Sequence, residues 1–95
     1  MQVMSESVIY IGNKRVMSYV LMAVMYFQRG DQRVVFKARG RAISKAVDAA
    51  TILTSRFLPD AEVTNVKIGS EKMGEEGNER FVSTIEITVE KHQTV

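Results

Sequence analysis

The stretch "RVVFKARGRAISKAVDAA", residues 33 to 50, changes its period in the middle, and the whole architecture follows from that change. Residues 33 to 39 alternate: Val34, Phe36 and Ala38 share one face, while Arg33, Val35, Lys37 and Arg39 share the other, as the two-residue period of a strand requires. Gly40 breaks the pattern. Ile43, Ala46, Val47, Ala50, Leu53 and Phe57 then recur at i, i+3, i+4, i+7, the spacing of an amphipathic helix, until Pro59 ends it. A strand that is basic on one side thus hands over to a helix, and the hand-over gathers Lys37, Arg39, Arg41 and Lys45 with no acidic residue before Asp48.

Upstream, "VIYIG", residues 8 to 12, reads as a strand buried on both faces and closed by Gly12. From about Arg15 to Gln28, Met17, Val20, Leu21, Val24, Met25 and Phe27 return at helical spacing, and Tyr19, Met22 and Tyr26 leave almost no polar face. That helix should be covered on more than one side, by core or by another subunit. "QRGDQR" reads as a Gly-capped exit and turn. Tyr10, Phe36 and Tyr26 are assigned to the core rather than to base stacking.

Downstream, "AEVTNVKIGS" and "RFVSTIEITVEK" form a hairpin around "EKMGEEGNE". Phe81, Ser83, Ile85, Ile87 and Val89 face one way, and Val82, Thr84, Glu86, Thr88 and Glu90 face the other, wet side. The loop of about nine residues should project as an arm at about residues 70 to 80. Parity changes between Val63 and Val66, the mark of a β-bulge that leaves the register open. The order is β-α-β-α-β-β, an α+β fold with a mixed four-stranded sheet and two helices, in one domain over residues 1–95.

Composition narrows the function. The chain has 95 residues, 45% of them hydrophobic and 25% charged, enough for one core that buries roughly 60 to 65% of the unfolded surface. It has no cysteine, so thiolate chemistry and disulfides are excluded. "MQVMSESVIYIG" carries no basic leader, and the apolar run from Val16 to Phe27 is too short to span a bilayer, so a cytoplasmic protein is expected. The only histidine, His92, reads as a solvated tail residue, and Glu75 and Glu76 lack the spacing of a calcium loop. No nucleophile with its base, carboxylate pair, metal-ligand set or phosphate-binding glycine fingerprint is present, so neither catalysis nor a cofactor is expected.

Binding is better supported. Residues 1 to 56 hold nine Lys and Arg against three Asp and Glu, and residues 57 to 95 hold four against eight, so a modest net charge of +2 hides a basic first part. The first strand-to-helix junction, Gly12, Asn13, Lys14 and Arg15, repeats the arrangement of the second. In a parallel β-α-β pair both junctions emerge at one edge of the sheet, where cations and the free N–H groups of helix N-termini suit phosphate. Such a surface meets backbone rather than bases. An oligomerisation module that recognises an acidic protein is the rival from another class.

Taken together, "IGNKRVMSYVL", "VVFKARGRAISKAVDAA", "SRFLPD" and "VSTIEI" resemble the Alba family of archaeal chromatin proteins over nearly the whole chain. The resemblance implies the same element order, a fold shared with the C-terminal domain of a bacterial translation initiation factor. It also implies a homodimer that coats double-stranded DNA or RNA with little sequence preference, associated with the chromosome. An RNA-specific chaperone or ribonucleoprotein subunit is the alternative within binding proteins. Lys14, Lys37, Arg39 and Arg41 would contact nucleic-acid backbone, with Asn13, Arg15 and Lys45 beside them, and Phe57 would serve the contact between dimers in higher-order arrays. Two departures matter. Where the family has Gly-Lys-Lys-Pro, this chain has Gly12, Asn13, Lys14 and Arg15, so control by an acetyltransferase and deacetylase is either absent or moved to Lys14. The arm holds Glu71, Glu75, Glu76 and Glu79 against Lys72 and Arg80, and its acidic tip should stay off phosphate.

Overall fold

In the computed structural model, which describes residues 6–92, the elements run β1 (Glu6–Tyr10), α1 (Val16–Gln28), β2 (Arg33–Arg39), α2 (Ile43–Ile52), β3 (Ala61–Met73) and β4 (Arg80–Lys91). Residues 1–5, read above as free of a leader, lie outside that range. The sheet order is β1-β2-β4-β3, with β1 parallel to β2 and the other neighbours antiparallel. This is the α+β, mixed-sheet arrangement that the sequence periods predict.

Period 2 in β2 and β4 makes one face of the sheet. Val34, Phe36 and Ala38 stand opposite Val89, Ile87 and Ile85 in the register, and all six are buried beneath the helices. Burying Phe36 alone is worth roughly 1.5–3 kcal/mol. α1 contributes Tyr19, Val20, Ala23 and Phe27 to this core, and α2 contributes Ala46, Ala49 and Ala50. The small residues of α2 let it approach the sheet closely. Beyond Ile52 the helix widens into a single π turn, Leu53–Phe57, closed by a bond from Leu58 N–H to the Leu53 carbonyl at 2.7 Å, and Pro59 follows.

α1 ends as expected. Gly30 sits at φ 112°, its N–H donates to the Phe27 carbonyl, and the Asp31 N–H donates to the Tyr26 carbonyl, which together form a Schellman motif. The positive φ is why glycine stands there.

Four expectations change. β1 begins two residues earlier than "VIYIG" suggests and is covered on one face only, because no helix crosses the other side of the sheet. Tyr10 therefore stands 73% exposed on the open face instead of in the core. α1 is covered on one side, and Met17, Leu21 and Met25, one helical stripe, face outward. The hairpin loop is six residues, Gly74 to Glu79, not nine, since Met73 still pairs with Arg80. The arm is mostly a two-stranded ribbon whose polar residues on both faces masked its strand character.

The register shift lies between Val63 and Asn65, as the parity change indicates. The bulged Thr64 turns its hydroxyl onto Glu90, donating at 2.6 Å. Beyond the bulge Val66 and Ile68 return to the helix-side face, but α2 does not reach them.

Candidate functional site

The parallel pairing of β1 with β2 delivers both strand-to-helix junctions to the same end of the sheet, and two side chains then fasten them together. The Ile11 N–H donates to the Lys37 carbonyl at 2.8 Å, extending the strand contact past Tyr10. The Tyr19 hydroxyl, buried on α1, accepts from the N–H groups of Gly12 and Lys14 at 2.8 and 3.0 Å. Lys45 reaches across from α2 and donates to the carbonyls of Gly12 and Lys14 at 2.9 and 2.7 Å. Every strong hydrogen bond in the Gly12–Lys14 turn thus comes from a helix, so the loop is held in shape without ligand.

This separates the predicted site residues into groups. Asn13, Lys14 and Arg15 are exposed on the fastened loop, and Arg41 is exposed on the 3-10 turn Gly40–Ala42 that leads into α2. Lys14, Arg15 and Arg41 make no ion pair among the described residues. Gly40 takes φ 57° to turn the chain from β2 into that 3-10 turn, the left-handed region open to glycine. Neither helix carries a side-chain cap, and each first turn is only partly satisfied by backbone: the Ser18 N–H donates to the Arg15 carbonyl at 3.0 Å and the Ile43 N–H to the Gly40 carbonyl.

Lys37 and Arg39 project from β2 onto the open face and are partly neutralised. Lys37 Nζ lies 3.8 Å from Glu86, and Arg39 Nη1 lies 3.4 Å from Glu71 on β3. Both pairs are solvated and worth little. The cationic surface expected to be continuous is therefore interrupted by carboxylates on this side. Lys45 differs from expectation more sharply: its ammonium is spent on two carbonyls and serves as a strut. Nothing local in the sequence marks Tyr19, because a tyrosine at helical spacing looks like any core aromatic; its hydroxyl's role is set by a loop up to seven residues away.

At the opposite end of the sheet charges meet one another. The Ser7 hydroxyl donates to the buried Asp31 carboxylate, which also accepts from Arg29 at 3.2 Å, and the Arg29 guanidinium lies 4.5 Å from the centre of the Tyr26 ring. The Ser7 hydroxyl first, and Arg29 after it, hold Asp31 below the usual carboxylate range. Arg33 bridges Glu6 and Glu90 at 3.4 Å each. Thr64, more than Arg33, lowers Glu90 in the same direction. His92 is solvated, as expected, yet anchored: its backbone N–H donates to the Asp60 carbonyl at 2.8 Å and its ring stands 3.8 Å from Glu62.

Phe57 closes the π turn 40% exposed, about 20 Å along α2 from the cationic end. A separate apolar band lies on the helix side of the hairpin, where Val66, Ile68 (77% exposed) and Phe81 (73% exposed) join Val47 of α2. Among the described residues no group of His, Cys, Asp or Glu could hold a metal ion, and no helix is long and apolar enough to cross a membrane.

Known proteins share this arrangement. The sequence profile of the Alba family matches residues 7–70. The DNA/RNA-binding protein Alba 1 of Archaeoglobus fulgidus is 48% identical over 88 residues, covering 93% of this chain and 99% of its own. The DNA/RNA-binding protein Alba of Methanocella arvoryzae is 47% identical over 87 residues, covering 90% and 91%. Among solved structures, Alba from Thermoplasma volcanium superposes with a TM-score of 0.83 at 39% identity, covering 88% of this chain and 99% of that one. With a profile match over two thirds of its length and relatives nearly half identical from end to end, this chain belongs to the Alba family.

Proposed function

We propose that this protein binds double-stranded DNA and RNA as a homodimer, along the phosphate backbone and with little regard to sequence. The observation that carries the reading is the pair of junctions: Lys14, Arg15 and Arg41 stand exposed with no ion pair among the described residues, and Tyr19 and Lys45 hold the Gly12–Lys14 loop in place. Preformed cations beside uncapped helix N-termini suit phosphate, and rigid presentation lowers the ordering cost of binding. Relatives named as DNA/RNA-binding proteins point the same way. Lys37 and Arg39 join by exchanging their glutamate partners for phosphate.

The second copy is supported by Val47, Val66, Ile68 and Phe81, large apolar side chains left exposed on the helix side of the sheet, the face that should be core. Dimerisation doubles the junction pairs. Phe57, exposed at the far end of α2, then serves contacts between neighbouring dimers, and arrays of this kind would package or protect a chromosome in the cytoplasm. Lys14, solvent-facing, is where an acetyltransferase and deacetylase would tune affinity. No catalysis is assigned.

The test is binding of matched DNA and RNA duplexes across a salt series. Neutralising roughly 6 to 10 phosphates per dimer should weaken binding about 10³- to 10⁵-fold between about 50 and 200 mM salt. A salt-insensitive complex overturns the electrostatic reading, and tight binding to RNA alone converts it to an RNA-specific role, which the acidic tip of Glu75, Glu76 and Glu79 would favour. Binding to neither leaves the acidic protein partner.

A further inference from the structure

The geometry points to a second nucleic-acid site, on the open face of the sheet, that takes an unpaired base of a single strand by stacking it on Tyr10. It rests on the nucleic-acid reading above and shares Lys37 and Arg39 with it, but adds Tyr10 and Lys67 and engages a different part of the ligand.

The register builds the site in one row. Tyr10 of β1 stands beside Lys37 of β2, Lys37 beside Glu86 of β4, and Glu86 beside Lys67 of β3, a row about 14 Å across at the usual strand spacing. Above this row lies a shallow groove of about 510 Å³. Its floor is low because Thr84 and Gly69 face each other there, and any side chain at Gly69 would come within 3.1 Å of the Thr84 hydroxyl. Tyr10 forms one wall and Arg39 lines the same groove.

Tyr10 is the odd member of β1. A strand that should bury its aromatic instead leaves it 73% exposed, and no hydrogen bond or ring contact engages it among the described residues. An exposed ring on a sheet face, flanked by cations, is the arrangement by which proteins hold single strands: the ring accepts the face of a base and the cations follow the phosphates. Lys67 makes no ion pair among the described residues, and Lys37 and Arg39 hold only weak, solvated ones, so three cations can turn to phosphate. A duplex cannot use Tyr10, because its base faces are already stacked. The proposed occupant is therefore a single strand, and the selectivity lies in the ring.

The test compares a fluorescein-labelled oligoadenylate of about 12 nucleotides with a duplex of the same length, using wild type, Tyr10→Ala and Tyr10→Phe. Tyr10→Ala should weaken the single strand roughly 5- to 100-fold and leave the duplex within about twofold, and Tyr10→Phe should bind both as wild type does. The chain has three tyrosines and no tryptophan, so stacking is also read directly: the oligonucleotide should quench tyrosine emission in wild type and much less in Tyr10→Phe. Equal losses on strand and duplex, or no loss on the strand with unchanged quenching, would overturn the site while leaving duplex binding standing. A wild type that binds neither nucleic acid would instead remove the reading on which the site depends.

Discussion

The two ends of the sheet use charge in opposite ways. At one end, Asp31, Ser7 and Arg29 close on one another, Arg33 is held between Glu6 and Glu90, and His92 meets Glu62. At the other, Lys14, Arg15 and Arg41 make no ion pair among the described residues, and the polar bonding goes into the Gly12–Lys14 loop beside them. The first end uses charge to hold the fold. The second holds its fold with a neutral hydroxyl and one lysine, leaving the remaining charge for a partner.

The largest expected effect comes from erasing that difference at the free end. In the counterion-release description each phosphate contact contributes about 0.9 to the salt slope, so near 0.1 M salt it is worth somewhat under tenfold in affinity. Lys14→Ala/Arg41→Ala removes up to four contacts from a dimer. Duplex affinity should fall by up to roughly 10³-fold and the slope should flatten by about 3 to 4, read from binding isotherms across a salt series. A loss confined to one sequence would mean base readout instead.

Keeping the charges and removing the second copy comes next. Ile68→Asp places a carboxylate in the apolar band, and loss of two buried aliphatic side chains should weaken the dimer by at least about 100-fold, seen as a concentration-dependent mass in light scattering. The monomer keeps one junction pair, so its salt slope should be about half that of the dimer. If the variant stays dimeric, the copies meet through another surface, and a wild type that is itself monomeric overturns the proposed dimer.

The paired end is tested through stability rather than binding. Asp31 and Glu90 have folded pKa values below their unfolded ones, so the stability they lend is complete above the ordinary carboxylate value and is lost as pH falls through the folded values. Tm should be nearly flat from about pH 7 to 5 and fall below about pH 4. Ser7→Ala removes the main cause of the Asp31 shift. It should lower Tm by a few degrees at neutral pH, with the deficit shrinking in acid, and leave duplex binding unchanged. An equal deficit at both pH values would mean that the hydroxyl matters for packing alone.

Which of these features could be read from the sequence follows from distance along the chain. The alternation at residues 33–39, the helical stripe after Gly40 and the parity change at Val63 are local, and each was legible because neighbouring residues declare it. Lys45 looked like a fourth binding cation because nothing near it in sequence reveals carbonyls 31 and 33 residues back. Tyr10 looked like core for a related reason: an apolar run is buried on both faces only if something covers both, and which faces are covered is a property of the sheet.

The smallest effect is expected at the arm, and the structure changes how it should be tested. Removing residues 74 to 78 would leave Glu79 alone to join Met73 and Arg80, which pair directly, so the ribbon itself would be torn. Gly74 adds a further constraint: at φ 98° a Cβ there would meet the Asn78 carbonyl at 2.4 Å, so the loop tolerates glycine and little else at that position. Replacing Gly74 to Glu79 by Asn-Gly keeps the strands in register through a two-residue turn and removes three carboxylates. Lys72 then loses Glu79, its partner at 3.0 Å, and the arm goes from net negative to net positive. Duplex affinity should be unchanged within about twofold or raised, most visibly at low salt where repulsion is least screened. A large loss would mean that the acidic tip itself contacts a neighbouring protein or the duplex, so that free charge at both signs, rather than cations alone, serves binding in this molecule.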